Sequence, residues 1–168
     1  MNNVNMKAKR LPSDYEITAR IGNRMLALKY DTGAKYTVIS VGAFDKSLAE
    51  KGLETFKAYC EEHCSNKYKG DFISATGDPF KGYLITAHDV KIGNNVLRDF
   101  RYYLVVENKR DIALLGFDFI DKCKRSADAY GDILITAFDE DGYGKLDGVM
   151  ENDEVMAYID SLGVNGMD

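Results

Sequence analysis

The chain has no tryptophan, two prolines and three cysteines in 168 residues, and each shortage excludes something. So few prolines, with glycines scattered, rule out collagen-like and low-complexity classes. Three cysteines, an odd count, fit reduced thiols better than a disulfide framework and point to the cytoplasm. Excess positive charge is missing too: Lys+Arg 22 against Asp+Glu 27 leave a net charge of −5. That is the wrong sign for a surface that condenses on phosphates, so nucleic acid is not an expected partner. Long apolar runs are also lacking. The segments 112–115 and 133–135 fall far short of the ~20 residues a membrane span needs, so no membrane contact is expected. Residues 1–10 carry positive charge without a following apolar stretch or a small-residue cleavage site, and do not read as a signal peptide.

What is present is 45% apolar and 11% aromatic residues, enough for one packed globular chain. Apolar and polar residues alternate over 15–20 and 23–30, separated by Ile21-Gly22, which reads as a hairpin. A β-branched strand follows at 36–40. Over 41–64 the period changes to three and four, with Val41, Phe44, Leu48, Leu53, Phe56 and Cys60 on one face, so helix is expected there, divided at Gly52. The period returns to two in short strands at 72–75, 83–88, 90–92 and 100–106, with turns at Gly77-Asp78-Pro79 and Gly93-Asn94-Asn95. A buried strand is expected at 112–115, a short helix at 118–123 and a last strand at 132–138. An acidic, glycine-rich loop leads to an amphipathic helix with Asn152 as N-cap and Gly163 as its stop.

The chemistry-bearing segment is Tyr30-Asp31-Thr32-Gly33-Ala34, placed where one strand ends and another begins. Gly33 can take a backbone conformation closed to other residues, the Thr32 hydroxyl can fix the loop, and the turn aims Asp31 outward. Alone, the tripeptide is also an ordinary turn sequence. A second block, Asp111-Ile112-Ala113-Leu114-Leu115-Gly116-Phe117-Asp118-Phe119-Ile120, stands about 80 residues later. Between the two, 73–83 carries a glycine at the tip of a hairpin. Together these segments resemble the retropepsin-like aspartic proteases over roughly 15–138.

The resemblance implies a mainly β fold: a closed acid-protease barrel with one or two helices, spanning 11–138. An N-terminal segment (1–10) precedes it, and an acidic loop with a C-terminal helical extension (139–168) follows. It implies an aspartic endopeptidase in which Asp31, Thr32 and Gly33 are catalytic. Ala34, the flap residues Ala75, Thr76 and Gly77, and Leu115 and Gly116 would bind the peptide or protein substrate. No cofactor or metal is needed, because two carboxylates sharing one proton supply both base and acid. A single Asp-Thr-Gly occurs in the chain, so the second carboxylate must come from a homodimer partner. Ala34 has no hydroxyl to hydrogen-bond the carboxylates, so activity is expected to persist toward near-neutral pH.

Other readings attach to particular residues. The segment 139–150 resembles an EF-hand calcium loop at its first, third, sixth, eighth and ninth positions, but Tyr143 and Met150 stand where oxygen ligands belong. Cys60, His63 and Cys64 have helical spacing for metal ligation without an evident fourth ligand; packing of Cys60 beside an exposed His63 is the plainer account. Cys123 reads as a buried thiol, and His88 has no nucleophile at a useful spacing. The whole-chain alternatives are a non-catalytic relative, with the same barrel kept as a peptide-binding or scaffolding module, and a calcium-responsive protein acting through the 139–150 loop.

Overall fold

The computed structural model describes residues 2–10, 15–93, 95–107 and 110–163; Asn94, expected in a turn, lies outside them. In chain order the elements are β1 (Asn2–Arg10), β2 (Tyr15–Ile21), β3 (Arg24–Tyr30) and β4 (Val38–Ser40). Three helices follow: α1 (Val41–Phe44), α2 (Lys46–Lys51) and α3 (Leu53–His63). Next come β5 (Lys69–Ile73), β6 (Pro79–Ala87), β7 (Val90–Ile92), β8 (Asn95–Leu97), β9 (Phe100–Val105) and β10 (Ala113–Leu115). The remainder is α4 (Phe117–Ile120), β11 (Cys123–Ala127), β12 (Ile133–Phe138), β13 (Met150–Glu151) and α5 (Asn152–Ser161). Strands outnumber helices among the described residues, so the chain is mainly β. The stretch expected to be helical breaks at Gly52 and also at Asp45, whose carboxylate accepts the Leu48 N–H at 3.1 Å as the N-cap of α2.

The chain forms two compact units, each assembled from three stretches of sequence. The first holds Met1–Thr37, Ala87–Phe100 and Ala113–Lys145. Its strand order is β11-β12-β1-β2-β3-β10, with β7 also on β2 and β8 on β7. The alternation read in the sequence is what packs it: Ile17, Ala19 and Ile21 of β2 and Leu26 and Leu28 of β3 are buried. Phe119 lies between Phe100 and Phe138, with ring centroids 5.6 and 4.5 Å away. Burying such rings stabilises by about 1.5–3 kcal/mol each.

The second unit holds Val38–Thr86, Arg101–Ile112 and Leu146–Asp168, with strand order β4-β9-β6-β13 and β5 on β6. Its core includes Ile39, Leu48, Phe56, Tyr83, Ile85 and Tyr102. The amphipathic helix is present as α5, burying Val155, Met156 and Ile159, with the Tyr158 ring stacked 3.8 Å from that of Tyr59. Asn152 is not its N-cap: Glu151 holds that place, and the buried Asn152 side chain instead accepts a 2.5 Å hydrogen bond from the Tyr102 hydroxyl.

The closed barrel expected from the sequence is corrected by the pairing, which in each unit follows an open path. Strand β11, at one end of the path in the first unit, and β13, at one end of the path in the second, resist extension. Lys124, Arg125 and Ser126 of β11 are exposed, and charged side chains on an edge discourage a further strand. Strand β13 has two residues before α5 begins.

Candidate active site

The Asp31 turn is built by β3 and β10, which run parallel with Leu114 opposite Lys29 and Leu115 opposite Tyr30. The Asp31 N–H donates to the Leu115 carbonyl at 3.1 Å, so the ladder continues one residue into the turn. Within the turn, the Ala34 N–H donates to the Asp31 carbonyl at 3.3 Å and the Gly33 N–H to Asp31 Oδ1 at 2.9 Å. Asp31 is half-buried, Thr32 and Gly33 are exposed, and Ala34 is half-buried. Gly33 does not adopt a left-handed backbone. A Cβ there would approach Asp31 Oδ1 to 3.2 Å, so the carboxylate would have to shift by a few tenths of an ångström.

The second sequence block braces this turn from behind. The Phe117 N–H donates to the Ala34 carbonyl at 2.7 Å and the Asp118 N–H to the Lys35 carbonyl at 3.1 Å. The Gly116 N–H donates to Thr37 Oγ1 at 3.0 Å, and Thr37 is fully buried. Leu115 and Gly116 are buried. A Cβ on Gly116 would stand 2.2 Å from the Tyr36 carbonyl, so only glycine fits. Two supporting residues were absent from the sequence-based site: Thr37 and Asp118. Thr37 donates both its N–H, at 2.9 Å, and its hydroxyl, at 2.8 Å, to Asp118 Oδ1. Burial pushes the Asp118 carboxyl above the usual carboxylate range, opposed by the hydrogen bonds from Thr37 and Phe119. No local pattern marks this pair, since it joins residues 81 positions apart.

The remaining expected site residues lie in the second unit, at the tip of the β5–β6 hairpin. Ala75, Thr76 and Gly77 are all exposed there. The tip is internally hydrogen-bonded: the Ser74 N–H donates to the Asp78 carbonyl at 2.9 Å, the Gly77 N–H to the Ser74 carbonyl at 2.9 Å, and Thr76 Oγ1 to Asp78 Oδ2 at 3.0 Å. Gly77 has φ +86, which explains a glycine at this position. At the hairpin base Gly70 pairs with Gly82, and the Phe72 ring covers both.

The other sequence candidates have structural roles. Cys60 and Cys64 are buried, and burial pushes both thiols up. His63 is exposed, with Nδ1 2.9 Å from the Tyr59 carbonyl. Cys123 is half-buried; its thiol, pushed up to about 12, donates to the Phe119 carbonyl at 3.3 Å. His88 Nδ1 stands 3.0 Å from Asp99 Oδ1. In the acidic loop the Tyr143 ring packs edge-on against Phe138, and Glu140 accepts the Arg98 N–H at 2.8 Å. Among the described residues no three His, Cys, Asp or Glu side chains are grouped to hold a metal, and no helix is long and apolar enough to cross a membrane.

No family model and no curated protein matches the chain. Among solved structures it is similar to a retropepsin-like aspartic protease from Rickettsia conorii, at 19% identity and a TM-score of 0.54, over 79% of this chain and 99% of that one. It is also similar to the retroviral protease-like domain of Ddi1 from Leishmania major, at 13% identity and a TM-score of 0.46, over 79% of this chain and 98% of that one. The braced Asp31 turn and the near-complete coverage of the rickettsial protein lead to one conclusion: the chain has the fold of the retropepsin-like aspartic proteases.

Proposed function

We propose that the protein is an aspartic endopeptidase whose active site forms when two copies of the chain bring their Asp31 carboxylates together. The observation that carries this reading is the Asp31 turn itself. A half-exposed carboxylate is held by a backbone N–H, on a loop that buried groups fix in place. Preorganised polar groups on a rigid support are what this reaction demands of a protein.

One carboxylate removes a proton from water as the oxygen attacks the scissile carbonyl carbon. The other gives its proton to the carbonyl oxygen. The tetrahedral diol collapses with cleavage of the C–N bond, the departing nitrogen takes a proton, and the pair is restored to its singly protonated form. Thr32 supports the turn, Gly33 keeps room for the carboxylate, and Ala34, Leu115 and Gly116 border the bound peptide. The flap residues Ala75, Thr76 and Gly77 take the extended substrate as an added strand. The three unpaired cysteines support a reducing location, the cytoplasm.

The test is incubation of the purified protein with a peptide library, as wild type and as Asp31→Asn, across pH. Cleavage lost in the variant and persisting in the wild type toward neutral pH supports the reading. Cleavage that survives Asp31→Asn eliminates the aspartic mechanism, and peptide binding without cleavage by the wild type favours the scaffolding alternative.

A further inference from the structure

Among the described residues five large apolar side chains stand in solvent, and two of them, Met25 (63% exposed) and Val96 (53% exposed), share one face of the first unit's sheet. The pairing fixes that face. Met25 is opposite Arg20, Arg20 opposite Lys91, and Lys91 opposite Val96, so one row crosses β3, β2, β7 and β8. Residues directly opposite on antiparallel strands point to the same side, and their chain neighbours to the other. The neighbours Leu26, Ile21, Val90 and Leu97 are buried, which sets the row on the outer side. Thr18 and Ala27, the next outward pair along β2 and β3, are exposed as well. We propose that this face binds an extended segment of another protein in which an acidic residue lies midway between two apolar ones four positions apart. The face serves that role whether or not the chain cleaves peptides.

Charge and spacing select the partner. The Arg20 guanidinium donates to both carboxylate oxygens of Asp89, at 3.1 and 3.3 Å, and to the Gly22 carbonyl at 2.6 Å. Its position is held and its charge is matched. Lys91 is exposed and, among the described residues, in no ion pair, so it presents a cation between the two apolar side chains. Lys9 and Lys29, both opposite Glu16, add one further positive charge to the face. In a chain of net charge −5, that local excess favours an acidic partner. Neighbouring strands lie about 4.8 Å apart, so three steps put Met25 about 14 Å from Val96. Four residues of extended chain span about 13 Å, with the first, third and fifth side chains on one side. Laid across the strands, such a segment sets its apolar side chains on Met25 and Val96 and its acidic one, about 7 Å from each, between Arg20 and Lys91. The unbranched Met25 adapts to different apolar partners, and the small Thr18 and Ala27 leave room for the segment's backbone.

NMR titration of the isotope-labelled full chain with the peptide Gly-Leu-Ser-Glu-Ser-Leu-Gly tests this, beside the same peptide with Lys at its centre. The acidic peptide is expected to shift amides of β2, β3, β7 and β8 with a Kd below about 1 mM, and the lysine peptide to bind about fivefold more weakly or worse. Lys91→Glu should invert that preference, and Met25→Ser and Val96→Ser should each weaken the acidic peptide about fivefold. The spectra report the folding of each variant, and the serine variants carry the test if the glutamate does not fold. No shifts at about 5 mM peptide, or binding indifferent to all the substitutions, overturns the proposal. Shifts centred on the Asp31 turn or the β5–β6 hairpin also overturn it and assign the peptide to the cleavage reading. Sedimentation without peptide checks the other occupant: self-association that Lys91→Glu abolishes, with no peptide bound by the wild type, overturns the proposal and gives the face to a second copy.

Discussion

Both polar hydrogens of Thr37, on the backbone nitrogen and on the hydroxyl, end on one oxygen of Asp118, at 2.9 and 2.8 Å. The same oxygen accepts the Phe119 N–H at 2.8 Å. Because the Thr37 hydroxyl also accepts from Gly116, a relay runs from Gly116 through Thr37 to Asp118. It fastens the chain just after the Asp31 turn to the segment that crosses behind that turn.

All three bonds use Oδ1, so Asp118→Asn can keep them, whereas Asp118→Ala leaves a buried hydroxyl and two N–H groups without their acceptor. The alanine variant is expected to lose about 2–4 kcal/mol in urea denaturation, and the asparagine variant much less. The two also separate by pH. Burial raises the Asp118 carboxyl in the folded state, so the folded chain holds that proton more tightly than the unfolded one. Its stabilising contribution is full below about pH 4, the ordinary aspartate value, and is lost as pH rises through the raised folded value. Wild type should therefore lose stability relative to Asp118→Asn over that window. A constant difference between the two across pH contradicts the assignment.

Gly116 and Gly77 are expected to respond to alanine with very different severity although both belong to segments marked by the sequence. At Gly116 the new Cβ meets backbone at 2.2 and 2.6 Å, which cannot move aside, so Gly116→Ala should prevent stable folding. At Gly77 nothing lies within 4 Å and the cost is the left-handed backbone alone. Gly77→Ala should lose about 1–2 kcal/mol, read as a small fall in thermal midpoint with the cooperative transition retained. A mild effect at Gly116 would mean that the close crossing behind Asp31 is absent in solution.

Which parts of this were legible in the sequence follows from what kind of signal each leaves. The β2–β3 hairpin was legible because Ile17, Ala19 and Ile21 alternate with polar residues and one face is buried. Strand β11 was not, because Cys123–Ala127 is an edge strand with little buried face, so nothing imposes a period. Strand β1 is paired with β12, Met6 opposite Ile135 and Ala8 opposite Ile133. From the sequence, 1–10 is an N-terminal segment with no strand assigned. At the site, Asp31 and Gly116 were marked because each stands in a short motif readable in the sequence. Thr37 and Asp118 were not, since their meeting is made by the fold. For Gly33 the expected left-handed backbone is absent, and the nearest atom to an added Cβ is Asp31 Oδ1.

The C-terminal segment makes a prediction of its own. Tyr102 and Asn152 are both buried and joined by a 2.5 Å hydrogen bond between β9 and the start of α5. Tyr102→Phe removes the donor and should cost about 1–3 kcal/mol. Combined with Asn152→Ala, the two losses should be non-additive, with a coupling of at least about 0.5 kcal/mol in a double-mutant cycle. Strict additivity would show that α5 is held by its apolar face and the Tyr158–Tyr59 stack instead.

Subunit mixing gives the most direct readout of a shared carboxylate pair. If each active site takes one Asp31 from each of two chains, an excess of Asp31→Asn chains draws wild-type chains into mixed pairs that hold a single carboxylate. After exchange with about a threefold excess, random pairing leaves roughly a quarter of the wild-type chains with a wild-type partner. Cleavage per wild-type chain should fall toward that fraction, whereas adding the same amount of wild type should not depress it. Dilution acts on the same equilibrium, so specific activity should also decline below the dissociation constant measured by sedimentation. Activity per wild-type chain that is indifferent both to the variant and to dilution would place the whole reaction within one chain, and a site with one Asp-Thr-Gly would then need a different second acid.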